Sequence, residues 1–185
     1  MYKSQWLDPL NGPRALQRKF QFDVRFYFAR RASENFIDMK INTFEVKTDD
    51  DTGIHYVSKV TDELTKNHKE TDQEIITAFM PSIPGSYYCP VASYVEYVVH
   101  LNPENENLWQ PPIDDHATNV WYAKGCIGKN PLAHFMQDLS MKCKVKSYTN
   151  HSLQVTGASI LGRQGFNYKQ IMAVTGHKST NSLAL

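Results

Sequence analysis

Cysteine is scarce in this sequence: Cys89, Cys126 and Cys143 are the only three in 185 residues. They are too few and too scattered for a disulfide framework or a Cys-x-x-Cys zinc site, so a reducing compartment, cytosol or nucleus, is expected. No apolar run approaches the roughly 20 residues a membrane helix needs. The opening residues, MYKSQWLDPLNGPR, lack the apolar centre of a secretory signal, so secretion is not expected. Internal repeats and low-complexity linkers are missing too. The acidic run Asp49–Asp51 lacks the alternating ligands and distal Glu of a calcium loop and reads as a solvated turn. What is present suits one globular domain over residues 1–185: 41% hydrophobic residues, with ten Tyr and nine Phe to build a core.

The net charge of +1 conceals an uneven distribution. Met1 to Arg31 carries seven bases and two acids, Ala32 to His116 five bases and sixteen acids, and Ala117 to Leu185 eight bases and one acid, Asp138. Two basic blocks flank an acidic middle. Folded onto one face, the basic blocks would hold a polyanion such as DNA. On charge alone, mutual neutralisation within the fold is the better reading.

The local patterns predict a mainly helical α+β chain with a small antiparallel sheet. Asn11-Gly12-Pro13 opens a helix with Leu16, Phe20, Val24 and Phe28 along one face. Ser33 caps a short helical turn, Glu34 to Met39. Thr43–Val46 and Ile54–Val57 form a hairpin around the turn 49–53. Pro81, Pro84 and Gly85 mark a loop. Pro90 starts a helix with stripe Val91, Tyr94, Val95 and Val98, ending before Pro103. Residues 102–115, polar and proline-containing, read as a long surface loop and a candidate domain boundary. Asn130-Pro131 opens a helix with stripe Leu132, Phe135, Met136 and Leu139. Ser152–Gln164, capped by Gly165, and Tyr168–Val174, stopped by Gly176, complete the chain.

Four segments carry candidate chemistry: Arg30-Arg31-Ala32-Ser33-Glu34-Asn35, Lys66 after the hairpin, Thr149-Asn150-His151-Ser152-Leu153-Gln154, and Thr175-Gly176-His177-Lys178-Ser179. Singly, each has a plain structural explanation. Arg31 can pair with Glu34 along a helix, Lys66 is one lysine of a polar loop, His151 sits in a cap region, and His177 follows a glycine stop. Two histidines without Cys or His neighbours make a poor metal site.

Taken together and in order, Arg-x-x-Glu, a lysine after a hairpin, His-x-x-[Arg] and Gly-His, these segments resemble the catalytic core of tyrosine recombinases. The stretches GPRALQRKFQFDVRFYFARRASEN, YVSKVTDELTKNHKE, CPVASYVEYVVHLNPENENLWQPP, TNHSLQVTGASIL and IMAVTGHKS resemble its Crypton-type branch. That branch also supplies the C-terminal domain of MYM-type zinc-finger proteins and of a glutamine-rich nuclear protein. The resemblance runs from about Leu7 onward and is most specific over Tyr148–Ser179. It implies a DNA breaking-and-rejoining fold of transposon origin, a nuclear location, double-stranded DNA and chromatin or transcription proteins as partners, and no metal, cofactor or membrane.

By the same resemblance, Arg31 is the first phosphate-clamping arginine, braced by Glu34. Lys66 is the hairpin lysine that protonates the leaving oxygen, with Lys59 and Lys69 as weaker candidates, and His151 and His177 are the phosphate-binding histidines. Paired guanidinium groups grip phosphoryl oxygens bidentately, as an ammonium cannot, and general acid and hydrogen-bond donors do the rest.

Two departures stand out. Gln154 occupies the second arginine position. Losing one preorganised donor costs about 2.7–4 kcal/mol, and losing a charged arginine about 10³–10⁵ in rate. The nucleophilic Tyr would fall just beyond Leu185, and Tyr148 and Tyr168 lie outside its motif. The chain is therefore expected to be a recombinase-like core truncated at both ends, without a clamping domain ahead of it and inactive as given. The alternatives are an active strand-transfer enzyme whose Tyr comes from missing sequence, and a protein-interaction scaffold that has lost DNA.

Overall fold

A computed structural model describes residues 1–28, 36–60, 78–115 and 118–175. Among these the chain is α+β. Its helices are α1 (Pro13–Tyr27), α2 (Pro90–Val99), α3 (Lys129–Ala133), α4 (Phe135–Lys142), α5 (Asn150–Arg163) and α6 (Tyr168–Thr175). Strands β1 (Phe44–Thr48), β2 (His55–Lys59) and β3 (Phe79–Pro81) form an antiparallel sheet in the order β1-β2-β3. Single 3-10 turns at Gln5–Leu7 and Ile41–Thr43 precede α1 and β1.

The hairpin forms as its composition predicts, with Val46 opposite Val57 and Thr48 opposite His55. Its tip closes through Gly53 at φ 68°, and Asp49 accepts from the Thr52 amide at 2.8 Å. The third strand corrects the loop reading at Pro81. Proline lacks an amide donor, which an edge strand tolerates, and Pro81 stands opposite Tyr56 at the end of β3.

Helix α1 is the centre of the molecule. Leu16, Phe20, Val24 and Phe28 are buried as the four-residue spacing requires, but so are Ala15, Gln17, Lys19, Gln21, Asp23 and Arg25. A helix enclosed on several sides needs partners around its girth, and α1 touches α2, α5, β3 and the first 3-10 turn. One apolar cluster joins Phe20 to Phe44, Tyr94, Tyr97 and Trp109. A second joins Leu7, Phe135, Met136, Leu139 and Leu153, with Phe22 and Phe26 packed against it.

The polar stretch 102–115 is the largest correction. Leu108, Trp109 and Gln110 within it are fully buried. Trp109 stacks on Phe36 with ring centroids 4.6 Å apart and donates its indole N–H to the Phe36 carbonyl at 2.6 Å. Gln110 serves the surrounding backbone: its Oε1 accepts from Asn102 N–H at 2.7 Å, and its Nε2 donates to the carbonyls of Asn105 and Asn107 at 2.9 and 3.0 Å. A buried amide thus answers the donors and acceptors of a non-repetitive loop. Residues 108–110 of this segment thus belong to the core.

Smaller differences have local causes. In α2 the buried residues are Pro90, Val91, Ser93, Tyr94 and Tyr97, while Val95 is exposed. Tyr97 is buried because its hydroxyl has a partner, the Leu108 carbonyl at 2.6 Å. The Asn130 helix starts one residue earlier and breaks at His134 into α3 and α4, though its four predicted apolar residues are all buried. Helix α5 starts at Asn150, two residues ahead of expectation. It ends as foreseen with Gly165 at φ 87°. There Phe166 N–H bonds Leu161 O and Gly165 N–H bonds Gly162 O, a Schellman closure. Asn167 caps α6 reciprocally with Gln170. Ser33 lies outside the described residues, and Phe36–Met39, the described part of its expected helical turn, forms a bend and turn without helix.

Candidate functional site

Of the predicted site residues, His151 and Gln154 fall within the described structure. Arg31, Glu34, Lys66 and His177 lie outside it, as does the alternative Lys69. The other alternative, Lys59, ends β2 opposite Phe44, with its ammonium 6.0 Å from that ring.

His151 and Gln154 stand one turn apart at the amino-terminal end of α5. His151 Nδ1 lies 3.2 Å from Gln154 Oε1, so the histidine tautomer protonated at Nδ1 donates to the glutamine. His151 is exposed, whereas Gln154 is only 1% exposed. The pair therefore spans the protein surface and the packed interior. Helix α5 packs on α1.

The start of α5 is fixed twice over. Ser152 Oγ accepts the Thr149 amide at 3.2 Å, half of a capping box. Asn150, buried, holds the break between α3 and α4. Its Oδ1 accepts Met136 N–H at 3.0 Å, and its Nδ2 donates to Leu132 O at 3.1 Å and Ala133 O at 2.8 Å. One side chain thus satisfies carbonyls ending one helix and an amide beginning the next, groups that helices leave unpaired.

Arg25 reaches the same place from α1. Its Nη2 donates to Leu132 O at 2.7 Å, while Phe36 and Phe135 flank the guanidinium at 3.6 and 4.9 Å. Burial pushes its pKa down to about 9, so it remains charged at neutral pH. No carboxylate pairs with it among the described residues, and its Nε has no hydrogen-bond partner. The aromatic faces supply part of the missing stabilisation. Nothing in the sequence pattern singles out Arg25 for this role. Asn150 could have been suspected, since asparagine is common at helix starts, but not that it serves the preceding helices.

Near the other end of α5, a shallow groove of about 670 Å³ is lined by Arg163, Phe166 and Tyr168 among others. Arg163 lies about 18 Å along the helix axis from His151 at 1.5 Å per residue, so the groove is separate from the histidine pair. Tyr168 and Tyr148 are both exposed. Among the described residues, no group of three His, Cys, Asp or Glu side chains is placed to hold a metal, and no helix is long and apolar enough to cross a membrane.

Comparison with protein-family models and with curated proteins returned no match.

Proposed function

We propose that this chain is a tyrosine-recombinase-like core of transposon origin that associates with duplex DNA in the nucleus and does not itself cut it. The observation that supports this most is the His151–Gln154 pair. It places a hydrogen-bonding histidine at the surface and an enclosed glutamine one turn later, on a helix packed against α1. In the resembled family that enclosed position belongs to a clamp arginine. Glutamine at the enclosed position brings no charge for transition-state stabilisation, which leaves phosphate contact to the exposed His151.

Fluorescence anisotropy of the chain with a labelled duplex, titrated across salt, tests the binding. Binding that weakens steeply with salt is expected, together with loss of affinity in Arg31→Ala. A folded chain that leaves the duplex free at low salt overturns the DNA reading and favours a protein-interaction scaffold. A nicked duplex should yield no covalent adduct on a denaturing gel; an adduct would overturn the inactivity.

A further inference from the structure

We infer that the segment Lys142–Tyr148, immediately ahead of α5, is the phosphate-contacting element of this chain, with Lys144 and Lys146 as its principal contacts; this rests on the DNA reading above. Several surface cations are matched by carboxylates, whereas Lys3, Lys129, Arg163 and Lys169 are exposed with no such partner among the described residues. Arg14 pairs with Asp114 at 2.8 Å, Lys40 with Glu106 at 2.8 Å, Lys47 with Glu45 at 2.8 Å and Lys124 with Glu104 at 3.2 Å. Lys144 and Lys146 are exposed, and neither has a carboxylate partner among the described residues. The only acid between Ala117 and Leu185 is Asp138.

The segment is also held in shape, which limits the entropy lost on binding. Buried Ser140 anchors it: the Val145 amide bonds Ser140 O at 3.1 Å, the Tyr148 amide bonds Ser140 Oγ at 3.1 Å, and that hydroxyl donates to Met136 O at 2.6 Å. Lys144 takes a left-handed conformation, φ 52°. Trp6 braces the start, donating to Lys142 O at 3.0 Å with the Lys142 ammonium 4.9 Å from its ring. Lys144 and Lys146 are thereby left facing solvent beside Tyr148, itself 42% exposed. The segment runs directly into His151 and the positive end of the α5 dipole. A polyanion with regularly spaced phosphates and stackable bases fits a rigid, doubly cationic turn with an aromatic at its end.

The test compares the whole chain with Lys144→Asn/Lys146→Gln, with Lys146→Gln alone, and with the control Lys124→Gln, all by anisotropy on a fluorescein-labelled duplex. Asparagine suits the left-handed position at 144, and Lys146→Gln alone touches no backbone constraint. Each lysine on a phosphate adds about 0.9 to the slope of log K against log salt, or about eightfold at 0.1 M. The double variant should lose about 1.8 of slope and about sixtyfold in affinity at 0.1 M, the single variant about half that slope, and the control neither. Duplex binding by the wild-type chain with unchanged slopes in both variants overturns this inference and leaves the DNA reading standing. A wild-type chain that ignores duplex but holds poly-glutamate overturns both.

Discussion

Asn150→Ala isolates the contact on which the amino-terminal end of α5 depends. Truncation removes one acceptor and two donor contacts, at 3.0, 3.1 and 2.8 Å. Leu132 O keeps its bond from Arg25 at 2.7 Å, so the groups left unpaired are the Met136 amide and the Ala133 carbonyl. Each orphaned buried group costs about 1–3 kcal/mol. Ala133 O is the less enclosed contact, and water can replace part of what it loses. A total of about 2–4 kcal/mol is expected, read as a fall in the urea midpoint at unchanged m-value. Asn150→Asp keeps the acceptor for Met136 but loses both donors and sets a carboxylate against two carbonyls. It should be at least as destabilising at neutral pH and partly recover in acid, where the protonated carboxyl regains one donor. Stability within about 0.5 kcal/mol of wild type in Asn150→Ala would refute the reasoning, because surface changes alone span that range.

Gln110→Leu should cost about 3–5 kcal/mol through the unpaired Asn102 amide and Asn105 and Asn107 carbonyls; it should also open residues 102–110 to limited proteolysis, and an unchanged digest would count against the role. The buried Lys19–Asp23 ion pair should cost about 3–5 kcal/mol when either partner alone is removed, whereas Lys19→Met/Asp23→Leu should be near neutral or stabilising, as chemical denaturation would show. Burial pushes the Asp23 carboxyl up to about 6, against the opposing pull of the Lys19 ammonium. The folded state then binds this proton more tightly than the unfolded chain, so its contribution to stability falls as pH rises from about 4 to 6 and is flat above. In the double variant, denaturation across that window should lack this component.

How much of this was legible depended on whether a residue's environment was local. The hairpin, the Pro13 and Pro90 helix starts and the Gly165 closure are set by neighbours along the chain, and the sequence identifies each within a residue or two. Gln110 and Trp109 are different. Between Asn102 and Asp115, prolines, asparagines and acids look like a surface loop because composition cannot show a glutamine bonding backbone around it. Tyr97 was missed for the same reason, since its burial depends on a carbonyl eleven residues away. Around α1 the stripe identified one buried face, but the burial of Lys19, Asp23 and Arg25 lies off that stripe and depends on what packs against the helix. At the candidate site, the sequence pattern linked His151 to Gln154 but left His151 in the cap region of a helix expected from Ser152, while the roles of Asn150 and Arg25 required the three-dimensional meeting of α1, α3, α4 and α5.

The charge pattern ties these strands together. Arg14–Asp114 and Lys124–Glu104 join each basic block to the acidic middle, as mutual neutralisation requires. These pairs are exposed, and such pairs contribute little to stability, so their main effect is on the electrostatic field around the molecule. Where they form, a cation no longer projects much positive potential. The positive excess of the last block is then left on its unpaired cations, Lys144 and Lys146 ahead of α5 among them. Neutralisation and a polyanion-binding face, which looked like rivals in the sequence, are therefore compatible. The first leaves the second to the unpaired cations, so removing Lys144 or Lys146 should weaken a polyanion's hold where removing a paired cation such as Lys124 should not.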